Sequence, residues 1–155
     1  MAKPRTPTIL TSPHDAAVAF YQAFEARDIE AMMAAWAEDE DIVCVHPGGP
    51  RLAGLEQVRD GWRRIFAGGP GPRPEPALLL AIPGVMTVVH SVQENFLLAD
   101  PQGKPAPVTV IATNVYARTP AGWRMIVHHA SPLPAQQPAQ QAGSDPRPSA
   151  KKTLH

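Results

Sequence analysis

A block of nine residues, Gly68-Gly69-Pro70-Gly71-Pro72-Arg73-Pro74-Glu75-Pro76, separates two halves of the chain with different hydrophobic periods. Neither a helix nor a central strand runs through such a density of proline and glycine, so the block is a loop. Before it, apolar residues recur at helical spacing. After it, the pattern is strand-like and rich in Val, Ile, Thr and aromatics. Helices followed by strands point to an α+β architecture, with the helices on one face of a sheet.

The first helix opens at Ser12, a good cap, with Pro13 at the first helical position and Asp15 near the positive helix end. Ala17, Phe20, Tyr21 and Phe24 then follow the i, i+3, i+4, i+7 spacing of one buried stripe. A second start falls at Asp28, and Ile29, Met32, Met33 and Trp36 repeat the spacing. Asp disfavours a helix interior and favours a cap, so two short helices meet at Arg27-Asp28. Acidic residues 38–41 end this pattern. Ile42 to His46 is a strand stopped by Pro47-Gly48-Gly49-Pro50, and Gly54 precedes a third helix whose buried face is Leu55, Val58, Trp62, Ile65 and Phe66.

Beyond the loop, Ala77 to Ile82, Val85 to Ala99, Val108 to Thr119 and Trp123 to Ser131 are strand-like. Hairpin-type turns separate them at Pro83-Gly84, at Asp100-Pro101-Gln102-Gly103-Lys104-Pro105 and at Thr119-Pro120-Ala121-Gly122. The expected fold is three N-terminal helices packed on a curved, mainly antiparallel sheet. Five of the 19 prolines fall between Pro132 and Pro148, among Gln, Ala, Gly and Ser. The expected organisation is a flexible arm over 1–11, one α+β domain over 12–133 and a disordered Pro/Gln-rich tail over 134–155.

Charge narrows the partners. With 14 basic and 14 acidic residues the formal net charge is zero, which argues against nucleic acid and against a membrane surface. Arg59, Arg63 and Arg64 form a solvated helix face rather than a basic patch. The single cysteine, Cys44, sits in an apolar run and reads as a buried, inert thiol. No intramolecular disulfide can form, which fits the cytoplasm. The charged start of the chain is not followed by the apolar segment of a signal peptide, and no run approaches the ~18 apolar residues of a membrane span.

The order of these segments resembles the nuclear transport factor 2-like superfamily, in its SnoaL-like branch. The resemblance spans Ser12 to Pro132. It rests on Tyr21-Gln22-Ala23-Phe24-Glu25-Ala26-Arg27-Asp28-Ile29-Glu30-Ala31-Met32, on Trp36 before an acidic turn and the Ile42 strand, and on Gly54 before a helix carrying Trp62. Asn114-Val115-Tyr116 and Gly122-Trp123-Arg124 complete it. It implies a cone-shaped α+β barrel, its sheet wrapped on a long helix around an internal pocket, commonly assembled as a dimer through the sheet. The outer sheet face is also expected to be rather apolar, as if covered. The superfamily includes ketosteroid isomerase, polyketide cyclases, dehydratases and non-catalytic assembly domains, so the fold does not name the reaction.

His46 is the catalytic candidate. It alternates with Ile42 and Cys44 on one strand face, and Pro47 places it at the strand end. Ketosteroid isomerase carries its general-base aspartate just before a proline, and an imidazole titrating near 6.5 can move a proton at neutral pH. A histidine bonded to backbone at a strand end is the plainer alternative. The isomerase's phenolic donor falls at Phe20, with Tyr21 one residue away, and its acidic donor falls near Ile111, which cannot donate.

His128 and His129 must face opposite sides of one strand. His129 shares parity with the more apolar Trp123, Met125 and Val127, so His129 is the residue expected in the pocket and His128 the one expected outside. His90 and Glu94 share a face, as do Asn114 and Tyr116. These four either satisfy one another in a core network or converge on a ligand. Trp62 joins them as a ligand contact, although Trp36 and Trp62 also fit a plain core. A three-histidine metal site from His46, His90 and His129 lacks metal-ligand spacing, and neither a phosphate loop nor a serine elbow is present, so no metal or cofactor is expected. The expected function is binding of a small, largely apolar organic molecule by a homodimer, with proton transfer in an isomerisation, cyclisation or dehydration. A non-enzymatic binding or assembly module is the alternative.

Overall fold

A computed structural model describes residues 8–134, so all but the first residue of the tail expected over 134–155, and most of the N-terminal arm expected over 1–11, lie outside the described residues. Three helices precede the four long strands: α1 (Pro13–Ala26), α2 (Ile29–Ala35) and α3 (Gly54–Ala67). The strands are β1 (Val43–Val45), β2 (Arg51–Ala53), β3 (Glu75–Ile82), β4 (Thr87–Ala99), β5 (Pro105–Thr119) and β6 (Gly122–Pro132). They form one six-stranded sheet in the order β2-β1-β6-β5-β4-β3. All neighbours are antiparallel except β1 and β6, which run parallel. The sheet is open, ending at β2 and β3, so it curves round the helices without closing into a barrel. Among the described residues no helix is long and apolar enough to cross a membrane.

The helix boundaries follow from local chemistry. The Ser12 hydroxyl accepts from the Asp15 amide at 3.0 Å, and Asp28 Oδ1 accepts from the Ala31 amide at 3.0 Å. Arg27, between the two helices, sits in the left-handed region at φ 54° and breaks the run. Gly54 opens α3 at φ 81°, where a Cβ would meet a Glu40 carboxylate oxygen at 2.8 Å. β2 is too short for its own sequence signal. It forms because the chain between Pro50 and Gly54 folds back onto β1.

One edge of β6 is covered piecemeal. β1 pairs with its second half, Trp36 bridges to Met125, and Leu10 bridges to Gly122. The Trp123 amide donates to the Leu10 carbonyl at 2.8 Å. Leu10 is buried, so the described end of the expected arm is tied to the domain rather than free.

The core lies between α1, α3 and the concave sheet face. Phe20, Trp36, Trp62, Tyr116, Met32, Ile42 and Met125 are its largest buried side chains. Phe20 stands at the centre, edge-on to Tyr21, Phe24, Trp36 and Trp62 at centroid distances of 4.8–6.5 Å. The outer sheet face is mixed rather than apolar: Ser91, Gln93, Asn95, Thr109, Thr113 and His129 stand among Val89, Ile111, Val115 and Val127. Exposed apolar surface gathers instead on β3, whose eight residues are all exposed, and on the ends of the strand beside it.

Candidate functional site

The sheet register aligns polar residues inside the core. His90 pairs with Asn114, Asn114 with His128, and His128 with Cys44, so one transverse row crosses β4, β5, β6 and β1. His90, Asn114, His128 and Cys44 are all buried. Glu94 lies on the same face of β4, two inward positions further along.

Helix α1 joins this row through one hydroxyl. The Tyr21 hydroxyl donates to Glu94 Oε1 at 2.9 Å, and Asn114 Nδ2 donates to the Tyr21 oxygen at 2.8 Å. Asn114 Oδ1 lies 2.6 Å from His128 Nδ1. The result is a continuous chain of hydrogen bonds, Glu94–Tyr21–Asn114–His128, from β4 through α1 to β6. The His128 ring packs against Phe20 at 5.1 Å, Trp62 at 5.8 Å and His46 at 6.2 Å. His46 stands edge-on to Trp62 at 4.6 Å, with Nε2 3.5 Å from the Cys44 sulfur. Phe24 touches Trp62 and Phe96, and Phe66 touches Trp62, extending the aromatic wall towards Glu94.

Burial sets the protonation states. Loss of hydration raises the Glu94 carboxyl from 4.5 to about 7, a shift that the Tyr21 hydrogen bond only partly opposes. Desolvation holds His46 down at about 4, and it holds His128, with the neighbouring His46 and His129 adding to the effect, at about 3. Both imidazoles are therefore neutral at pH 7. Burial raises the Tyr21 and Tyr116 phenols well above their ordinary value and pushes the Cys44 thiol up to about 12, which makes it inert. The Tyr116 hydroxyl and the Trp62 and Trp36 indole N–H groups are buried without a hydrogen-bond partner.

The structure thus gathers Glu94, Asn114, Tyr116, His90, Trp62 and His46 on the inner side of the sheet. It does not bring His129 there. His129 is exposed, and His128 takes the inward position with 1% of its surface accessible. The cause is a bulge: Val115 pairs with Val127 but Tyr116 pairs with Met125, leaving Ile126 as an extra residue in β6. One inserted residue reverses the alternation, so Trp123 and Met125 point inward before it and His128 and Ala130 after it. No simple alternation count reveals such a bulge. Tyr21 was visible in the sequence as part of the buried α1 stripe, but its hydroxyl becomes a site group only because Glu94 and Asn114 face it. Among the described residues no group of three His, Cys, Asp or Glu side chains could hold a metal ion. His46, His90 and His129 do not converge.

The SnoaL-like domain family matches residues 14–136. The chain belongs to this family. A solved structure from Thiobacillus denitrificans, assigned as a calcium/calmodulin-dependent protein kinase type II association domain, is 39% identical over 81% of this chain and 98% of that one, with a TM-score of 0.74. A Streptomyces avermitilis protein assigned as a dehydratase of the NTF2-like family is 31% identical over 77% of this chain and 93% of that one, with a TM-score of 0.67. A ketosteroid isomerase-like protein from Erwinia carotovora atroseptica shares the fold at 15% identity, covering 84% of this SnoaL-like chain and 98% of that one, with a TM-score of 0.64. No curated protein matches the chain.

Proposed function

We propose that this SnoaL-like domain binds a small, largely apolar organic molecule against the inner sheet face and moves a proton on it, in an isomerisation, cyclisation or dehydration. Glu94 carries this reading. A carboxyl that is 2% exposed, held by a tyrosine hydroxyl and poised at about 7, can both take and return a proton near neutral pH. His46 is less suited to that role, because an imidazole that protonates only near pH 4 is a weak base. His46 therefore serves as a neutral hydrogen-bonding wall, and proton transfer passes to Glu94. Asn114 and Tyr21 hold the polar chain in place, while Tyr116, His90 and Trp62 orient the ligand. Phe24, Trp62, Phe66 and Phe96 supply apolar contact. The similarity to a protein assigned as a dehydratase supports this class of chemistry. The cytoplasm is the compartment proposed for it.

The test is proton exchange. In deuterated buffer, an aromatic β-hydroxy ketone incubated with the protein is expected to gain deuterium beside its carbonyl or lose water. Glu94→Gln should slow either process by about 10²-fold or more. Unchanged turnover in that variant would remove Glu94 from the mechanism.

A specific observation favours a second reading, homodimeric assembly. Leu78, Leu79, Leu80, Ile82, Val85 and Met86, on an edge strand and the segment that follows it, are each more than half exposed, as is Leu97 near the far end of β4. A second copy related by a two-fold axis would cover this surface. The similarity to a protein assigned as an association domain points the same way. Sedimentation should show a dimer that Leu78→Glu with Leu80→Glu dissociates. A wild-type monomer at high concentration would dismiss this reading.

A further inference from the structure

The hydrogen bonds of the buried chain share one direction. An ionised Glu94 can only accept, so Tyr21 donates to it at 2.9 Å. The Tyr21 oxygen then accepts from Asn114 Nδ2 at 2.8 Å, which turns Asn114 Oδ1 towards His128 Nδ1 at 2.6 Å. A carbonyl oxygen cannot donate, so the proton of this last bond belongs to the imidazole. The amide of Asn114 does not conduct a proton as a hydroxyl or water would. It passes on orientation and not charge. The other ring nitrogen, Nε2, is left with a lone pair, and the His46 and Trp62 rings lie 6.2 and 5.8 Å from this imidazole. In the same cluster the Trp62 indole N–H, fully buried, has no partner.

We infer that the chain Glu94–Tyr21–Asn114 fixes His128 as its Nδ1–H tautomer, and that the site selects ligands bearing a hydroxyl, which donates to His128 Nε2 and accepts from the Trp62 indole. A hydroxyl is the smallest neutral group that does both. A carbonyl or an ether can only accept and leaves Nε2 unmet, and an unmet buried acceptor weakens binding. Glu94 thus acts as a positioning residue at His128, through two intermediates, besides its own proton chemistry. The ligand class rests on the reading of the inner sheet face as a ligand site. The tautomer does not.

Two measurements on the full chain keep these claims separable. Two-bond ¹⁵N–¹H correlation spectra above the pH at which Glu94 ionises should show His128 with a protonated Nδ1 and a bare Nε2. Tyr21→Phe frees the Asn114 amide to turn over and should give both tautomers. Asn114→Asp keeps an acceptor at Nδ1 and should preserve the single form. An Nε2–H tautomer in the wild-type spectrum overturns the relay whether or not a variant folds, as does an unchanged single tautomer in Tyr21→Phe. For the ligand class, 2-naphthol should bind at least about tenfold more tightly than 2-methoxynaphthalene, and Trp62→Phe should narrow that ratio. Equal affinities overturn the hydroxyl preference. Binding of neither overturns the ligand reading and the hydroxyl preference with it, while the spectrum still decides the relay.

Discussion

Glu94, Asn114 and His128 lie buried on one face of the sheet, while Leu78, Leu79, Leu80 and Ile82 lie exposed on its β3 edge. The two regions depart from the usual distribution in opposite directions. A buried carboxyl costs several kcal/mol of desolvation unless it is hydrogen-bonded or kept neutral, and an apolar side chain in its place would be more stable. An exposed edge strand of leucines invites association. Helix α1 shows how the interior is made tolerable: its single hydroxyl serves both Glu94 and Asn114. No element of the described chain does the same for β3. Polar groups gathered inside mark where this fold does chemistry, and apolar groups left outside mark where it meets another molecule.

The sharpest way to break this comparison is at Asn114. Asn114→Leu removes the partner of both Tyr21 and His128, and should destabilise the fold by about 3–5 kcal/mol in chemical denaturation. A loss below about 1 kcal/mol would mean that the polar chain is not a connected unit.

The pH dependence of stability comes next. The folded-state pKa of Glu94 is raised from 4.5 to about 7, so the folded protein holds a proton that the unfolded chain has released. Its contribution is complete below 4.5 and is lost as pH rises through 7, about 3 kcal/mol in all. His46 and His128 act in the opposite sense. Depressed from 6.5 to about 4 and about 3, they contribute stability that is present above 6.5 and lost as pH falls through those values. Between 4.5 and 6.5 the two trends oppose each other. Glu94→Gln should remove one of them, leaving stability that falls steadily with acidification below 6.5. A variant with the wild-type pH profile would place the titration elsewhere.

Charging the edge strand is a smaller perturbation of the fold. Leu78→Glu with Leu80→Glu should weaken self-association by tenfold or more in sedimentation. Monomer stability should shift by less than about 1 kcal/mol, because neither side chain is buried in the chain itself. A large loss of monomer stability would make β3 part of the core. The smallest effect is expected at His129→Ala, within about 0.5 kcal/mol, since the ring is exposed on the outer sheet face. The adjacent His128→Ala, which empties a buried position, should cost several times more.

Much of the frame was legible without coordinates, because it rests on local chemistry. Ser12 and Asp28 announce the caps they provide, and both accept the amides three residues on. The Pro/Gly block separates α3 from β3, although β3 takes up its last two residues, Glu75 and Pro76, and each long strand lies within two or three residues of its expected bounds. His90 with Glu94 and Asn114 with Tyr116 keep the shared faces their spacing implies. Beyond one element the sequence was less informative. The three-residue β1 and β2 are short pairings that follow from where Pro47 to Gly54 returns the chain. His128 and not His129 faces inward, against the simple alternation, because the extra residue at Ile126 breaks the period-two rule.

The sequence by itself thus determined the helices, the meander of long strands and the family, because capping, period and turn chemistry act between residues a few positions apart. Only the tertiary structure decided that Tyr21, 73 residues from Glu94 and 93 from Asn114, bonds both of them. It alone decided that His128 and not His129 closes the chain, and that β3 has no cover within the described residues. Those outcomes depend on strand register, on a single bulge and on which faces meet. They are set by the packing of the whole sheet against α1, and no local window of sequence contains that information.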